Sequence, residues 1–101
     1  MIEFKFEEEY QYAVHYAKKL SDTKALNILE RRAVSDSEEA KHLSEYFWRM
    51  VDASIEDEKQ DIDLPWSEGA EFWNEKIMNS ISGYLERSGY EKEWDDVLDR
   101  Q

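Results

Sequence analysis

The sequence predicts an all-α protein, a compact bundle of four to five short helices in one domain covering residues 1–101. Three observations support this class. Apolar residues recur at spacings of three and four through most of the chain, the connections are short, and only the amino terminus shows a weak strand-like alternation. With 41% hydrophobic and 14% aromatic residues, the chain has enough apolar surface to form a core.

The first helix is predicted to begin near Phe6, after a segment from Ile2 that suits either an extended arm or a first helical turn. Its expected buried face consists of Phe6, Tyr10, Ala13, Val14, Ala17 and Leu20. Asp22 or Thr23 is then expected to cap a second helix, because short polar side chains accept hydrogen bonds from the free amides of a first turn. The expected buried residues of that helix are Leu26, Leu29, Ala33 and Val34.

The third helix has the clearest pattern and is predicted to run from about Ser37 to Glu58. Ser35 and Glu38 match the S-x-x-E capping box that precedes many helices. The expected buried stripe consists of Ala40, Leu43, Phe47, Met50, Val51 and Ile55.

The fourth helix is predicted to start between Pro65 and Ser67, because proline suits a helical first turn. Gly89 is expected to follow its carboxyl end, where a left-handed residue is common. Its expected buried face consists of Ala70, Trp73, Ile77, Ile81, Tyr84 and Leu85. A short last helix is predicted to bury Trp94, Val97 and Leu98.

Acidic residues dominate the charge of the chain, with 25 Asp and Glu against 13 Lys and Arg and a net charge of -12. A small domain usually carries a net charge of about 2–8 in magnitude, so this chain tolerates considerable self-repulsion. Phosphate contacts dominate nucleic-acid affinity, so direct duplex binding and binding to anionic membranes are disfavoured. The expected partner is a basic protein.

The absence of cysteine excludes disulfides and thiolate chemistry. The chain shows no apolar stretch of signal-peptide or membrane-spanning length. A soluble protein of the cytoplasm is therefore expected.

No enzyme, metal site or cofactor is predicted. Glu39-x-x-His42 matches one element of di-iron bundles, but the other histidine, His15, lacks a glutamate three residues before it. His15 and His42 are expected on solvated helix surfaces, with His42 beside Glu39. Asp61-x-Asp63 begins like a calcium loop but lacks the glycine and glutamate that such a loop requires. Phosphate-loop, dinucleotide and nucleophile-elbow motifs are also absent.

The acid is concentrated between Asp52 and Asp63, where carboxylates greatly outnumber bases. Glu56, Asp57 and Glu58 fall at the end of the third helix, where the macrodipole disfavours negative charge. Because this placement costs stability, it favours a functional reason for these three carboxylates. The structural alternative is that they simply lie at a solvated helix end.

An exposed aromatic ringed by carboxylates is expected on the fourth helix, where Phe72 shares a face with Glu68, Glu75 and Asn79. Such a residue resembles an interface anchor with a polar rim, and burial against a neighbouring helix is the structural alternative. In the preceding loop, Trp66 serves either recognition or closure of the bundle end. The predicted partner-binding residues are Asp52, Glu56, Asp57, Asp61, Asp63, Trp66, Glu68, Phe72 and Glu75.

In size, acidity, missing cysteines and lack of catalytic residues, the chain resembles the immunity proteins that protect bacteria from their own nuclease toxins. These include the antidotes of contact-dependent growth inhibition systems and of nuclease bacteriocins. The resemblance is one of type over the whole chain and rests on no diagnostic motif. It implies a non-enzymatic inhibitor that binds a cognate toxin domain one to one, covering its active site or an adjacent exosite.

Two alternatives belong to other functional classes. A phage-type nucleic-acid mimic blocks a restriction or CRISPR enzyme, but it needs carboxylates spaced like phosphates, whereas bases such as Lys18-Lys19 and Arg31-Arg32 interrupt the acids here. A general protein-interaction module would use the acid for solubility alone.

Overall fold

The computed structural model describes residues 1–60 and 63–101. It contains five helices: α1 Glu7–Lys19, α2 Thr23–Arg31, α3 Ser37–Lys59, α4 Ala70–Arg87 and α5 Glu91–Leu98. None of the described residues forms a strand. The predicted all-α bundle is confirmed.

Helix α3 is the centre of the bundle, because it contacts all four other helices. Its 23 residues span about 34 Å, so different neighbours cover different parts of its length. Every residue predicted for the buried face of α4 is buried. The largest fully buried side chains are Ile2, Tyr12, Tyr16, Ile28, Leu29, Leu43, Tyr46, Phe47, Met50, Ile77, Ile81 and Leu85.

The amino-terminal segment is an extended arm rather than a helical turn. The Ile2 N–H donates to the Arg32 carbonyl at 2.6 Å, and the Ile2 side chain is buried in the core. Phe6 precedes α1 in extended backbone and is 49% exposed, so its predicted place on the buried helical face is wrong.

The buried face of α1 is wider than predicted. It includes Tyr12 and Tyr16 together with Ala13 and Ala17, because α1 packs against three other helices. The hydroxyl groups of these tyrosines find acceptors inside the bundle, which makes burial of a polar aromatic residue favourable. The other expected members, Tyr10, Val14 and Leu20, are half-buried.

Asp22 caps α2 as predicted, and its carboxylate accepts from the Ala25 N–H at 3.0 Å. In α2, Leu29 is buried as expected and Leu26 is half-buried, whereas Ala33 and Val34 lie beyond the helix end and are half-buried.

The predicted capping box of α3 is displaced by one residue. Asp36 is the cap, and its carboxylate accepts from the Glu39 N–H at 2.8 Å. The Glu39 carboxylate in turn accepts from the Ser35 N–H at 2.9 Å. A charged acceptor forms a stronger hydrogen bond than a hydroxyl, which favours Asp36 over Ser35.

Helix α4 begins at Ala70, later than predicted, because the preceding residues are bound to α1. The Ser67 N–H and hydroxyl both donate to the Glu8 carboxylate, at 2.7 and 2.6 Å. Trp66 packs against α1 in the same loop. At the other end of α4, Gly89 has a φ of 84°, as predicted for the residue after the cap.

None of the described helices is both long enough and apolar enough to cross a bilayer.

Candidate partner-binding surface

Helices α3 and α4 pack side by side, and α5 covers one half of the seam between them. The Trp94 ring lies 5.5 Å from Phe47 and 6.2 Å from Trp48, measured between centroids. At the start of α3, the Ser37 hydroxyl donates to Glu93 at 2.7 Å. Since its eight residues span only about 12 Å, α5 covers the amino-terminal part of α3 and no more.

The other half of the seam is an open groove of about 610 Å³. Its walls are Val51 and Ile55 of α3 and Ala70, Glu71 and Asn74 of α4, with Glu58 and Lys59 at its end. We call this feature the α3–α4 groove.

Ile55 was expected in the buried stripe but is 43% exposed, because α5 does not extend far enough to cover it. Leu98, at the end of α5, was also expected to be buried but is 42% exposed.

A chain of hydrogen bonds holds the two helices together beneath the groove. Asn74 donates to the Ser54 hydroxyl at 2.9 Å, and Ser54 donates to the Val51 carbonyl at 2.8 Å. From α1, the Tyr12 hydroxyl donates to the Asn74 side-chain carbonyl at 3.1 Å. Burial raises the pKa of Tyr12 to about 12, so this donor keeps its proton at neutral pH.

Asp57 is buried in the interior near this end of α3, unlike most of the predicted binding residues. Its carboxylate accepts from the Tyr16 hydroxyl at 2.9 Å and from the Lys19 ammonium. Burial by itself would raise the pKa of Asp57, but these hydrogen bonds and the Lys19 charge lower it below 3.8. The Asp57 carboxylate therefore links α3 to α1.

Glu58 also has a partner within the fold. Its carboxylate accepts from the Ala70 N–H at 2.5 Å, where the positive end of the α4 dipole favours an anion. Interactions with Tyr16, Lys19 and α4 thus offset the cost of Asp57 and Glu58 at the end of α3. Of the three acids at this end of α3, only Glu56 has a position that still favours a functional reason, and it is exposed.

The remaining described binding candidates are mostly exposed. Asp52 and Glu56 lie on α3, Asp63 and Glu68 lie in the loop before α4, and Glu75 lies on α4. Glu68 is therefore not on the helical face where it was expected. Asp61 lies outside the described residues.

Phe72 is 39% exposed, as the sequence analysis expected of a residue pointing away from the core. Its ring packs edge-on against Trp73, with centroids 4.8 Å apart, and the Lys76 ammonium lies 5.2 Å from the ring centroid. At 100° per residue, Phe72 lies on the opposite flank of α4 from Glu71 and Asn74, which line the groove.

Trp66 closes the bundle end, which was the structural alternative for this residue. Its ring lies 4.9 Å from Tyr12 and 5.0 Å from His15. His15 is therefore half-buried rather than solvated, and burial lowers its pKa, with the nearby Lys19 charge acting in the same direction.

Several exposed carboxylates lie along the α3–α4 groove and near the start of α4, and others, such as Asp95 and Asp96, lie on α5. None of the ion pairs between described residues includes these exposed carboxylates; the pairs are Lys19–Asp57, Lys24–Glu38, Arg31–Glu39, His42–Asp22, Arg49–Asp22 and Arg100–Glu45. We define the acidic surface as the exposed residues Asp52, Glu56, Asp63, Glu68, Glu71 and Glu75. The sequence analysis missed Glu71 and the groove itself, although the length of α3 against a short last helix was a usable signal.

A second buried carboxylate, Asp22, has a structural role. It accepts from the Ala25 N–H, from His42 Nε2 at 2.8 Å and from Arg49. His42 is thus paired with Asp22 rather than with Glu39. Within residues 1–60 and 63–101, no group of three or more metal-ligating side chains converges.

No protein-family model, curated protein or solved structure matches this chain at a significant level. The function is therefore inferred from the geometry and charge of the acidic surface.

Proposed function

We propose that the protein is an acidic inhibitor of the immunity type, which binds a basic toxin and neutralises it. The toxin class that best fits is a nuclease domain, because an enzyme that holds phosphates has a cationic active site. In this proposal the inhibitor covers that active site or an adjacent exosite and performs no chemistry of its own.

The acidic surface is the observation that supports this proposal. In the described chain its carboxylates have no ion-pair partners, and exposed apolar side chains, Ile55 and Phe72, lie beside them. Charged rims accelerate the encounter with an oppositely charged partner, and apolar anchors slow dissociation.

Affinity capture followed by an activity assay tests the proposal. The tagged protein is incubated with a lysate of its host at low and at moderate salt, and retained proteins are identified by mass. We expect a basic nuclease domain that survives the moderate-salt wash and loses its nuclease activity at a one-to-one ratio. Retention of a restriction or CRISPR enzyme would favour a nucleic-acid mimic instead, and a retained partner without toxin activity would favour an interaction module.

Variants of the predicted binding residues sharpen this assay. Charge reversal at Asp61 and Asp63, and Phe72→Ala, should weaken retention without reducing the helical circular dichroism signal. Glu30→Lys is a matched control, because Glu30 is an exposed acid on α2, away from the acidic surface. Equal loss with the control would indicate a response to net charge rather than a defined surface.

A further inference from the structure

The α3–α4 groove is an incomplete helix-packing site within the fold. A helix, α5, already occupies the first half of the same seam and buries Trp94 and Val97 there. Beyond α5 the two framing helices continue, but along the described chain Val51 and Ile55 face an open groove of about 610 Å³. The geometry that accepts α5 therefore continues into a region that has no third helix.

The rim of the groove carries strong negative charge. Glu58 and Glu71 line it directly. Helical spacing places Asp52 and Glu56 one turn apart on the α3 side, and Glu75 one turn beyond Glu71 on the α4 side. Lys59 is the positive side chain among the lining residues. An occupant with an apolar face flanked by lysine or arginine would match both the walls and the rim.

We propose that the α3–α4 groove binds a short, basic, amphipathic helix of the partner protein, which continues the layer that α5 begins. Apolar side chains of this helix contact Val51, Ile55 and Ala70, while its basic side chains pair with the rim carboxylates. This is a helix-in-groove mode of recognition, in which residues three and four apart anchor the ligand. The inference rests on the proposed function, since it specifies how the inhibitor holds its basic partner.

Nuclear magnetic resonance titration with a defined probe tests this site directly. The probe is a lactam-stapled helical peptide with one leucine face bordered by lysines. We expect its addition to shift the backbone amide signals of Val51, Ile55, Ala70 and Asn74 more than those of α2. The same peptide with glutamate in place of lysine, and a version with serine in place of leucine, should bind much more weakly. Shifts scattered over the molecule, or equal binding of the glutamate peptide, would overturn the proposal.

Two pairs of variants locate the binding energy. Ile55→Asp should weaken binding of the leucine–lysine peptide about tenfold or more, because it places a charge at the apolar centre of the groove. Leu98→Asp is the matched control, since Leu98 is 42% exposed against 43% for Ile55 but lies on α5, outside the residues that line the groove. Likewise Glu71→Lys should weaken binding severalfold, and Glu30→Lys should not. Both key positions are exposed, and thermal unfolding of each variant checks that the fold is retained.

The two proposals fail in different ways. If the peptide does not bind in the groove, or if Leu98→Asp weakens its binding more than Ile55→Asp does, the groove proposal is overturned while the inhibitor proposal stands on its capture assay. If capture identifies no basic toxin, the inhibitor proposal falls, and the peptide titration still decides whether the groove accepts a basic helix.

Discussion

The two halves of the α3–α4 seam are held together by different forces. In the half covered by α5, aromatic rings of α3 and α5 pack against each other, and Phe47 and Trp94 are almost fully buried. In the open half, hydrogen bonds connect the helices through Asn74, Ser54 and Glu58. The comparison shows that a helix pair need not be sealed by apolar contacts along its whole length. Polar cross-links can hold it where one side is open.

The largest stability effect is expected in the covered half. Phe47→Ala should lower the free energy of unfolding by about 3–5 kcal/mol, because it opens a cavity in the packed core. Ile55→Ala, in the open half, should change it by about 0.5 kcal/mol, as is typical of exposed positions. Urea denaturation of both variants measures the difference. Similar losses for the two would mean that the groove is closed in solution.

In the open half, the buried amide of Asn74 should matter more for stability than the exposed side chain of Ile55. Asn74→Ala removes the acceptor of the Tyr12 hydroxyl and the donor to the Ser54 hydroxyl, and it should cost about 1–3 kcal/mol. A double-mutant cycle with Ser54→Ala measures the coupling between the two residues. Strict additivity would show that the Asn74–Ser54 hydrogen bond does not connect the helices.

The amino-terminal cap of α3, at its covered end, should have an intermediate effect. Asp36→Ala removes the acceptor of the Glu39 N–H and should cost about 1 kcal/mol. Ser35→Ala leaves the backbone N–H that donates to Glu39 in place and should be close to neutral. Thermal unfolding compares the stability of the two variants. A larger loss for Ser35→Ala than for Asp36→Ala would support the Ser35 capping box predicted from the sequence.

Acid should weaken the contact that the Asp57 carboxylate makes between α3 and α1. The pKa of Asp57 is lowered in the folded state, so the unfolded state binds the proton more tightly than the folded state does. Asp57 therefore stabilises the fold above its unfolded pKa of about 3.9, and this contribution is lost as the pH falls through the folded pKa.

Hydrogen exchange at several acidic pH values, corrected for intrinsic exchange rates, measures this effect. Amides near Ser54 and Asp57 should lose protection as the pH falls through the folded pKa of Asp57. In Asp57→Asn the stability should depend less steeply on pH below about 4. An unchanged slope would mean that other carboxylates, such as Asp22, account for the acid response.

Local sequence patterns were sufficient to predict the helices of this protein. The spacing of apolar residues in α4 was enough to identify its whole buried face, because a helix packed along one stripe leaves a clear periodicity. The pattern failed for α1, where Tyr12 and Tyr16 are buried, since a helix with neighbours on several sides has no single apolar stripe. It also misplaced the start of α4, which depends on the distant contact between Ser67 and Glu8.

The candidate site shows the same division between local and distant information. Composition and charge along the chain determined that the protein is acidic, helical and rich in exposed carboxylates near the α3–α4 end. Only the tertiary structure decided which of those carboxylates face inward, as Asp57 does, and which line a groove, as Glu71 does. The physical reason is that the position of a residue along a helix fixes the direction of its side chain. Whether that side chain is buried depends on whether another helix packs over it. Here α5 is too short to cover Ile55, and that length mismatch creates the groove.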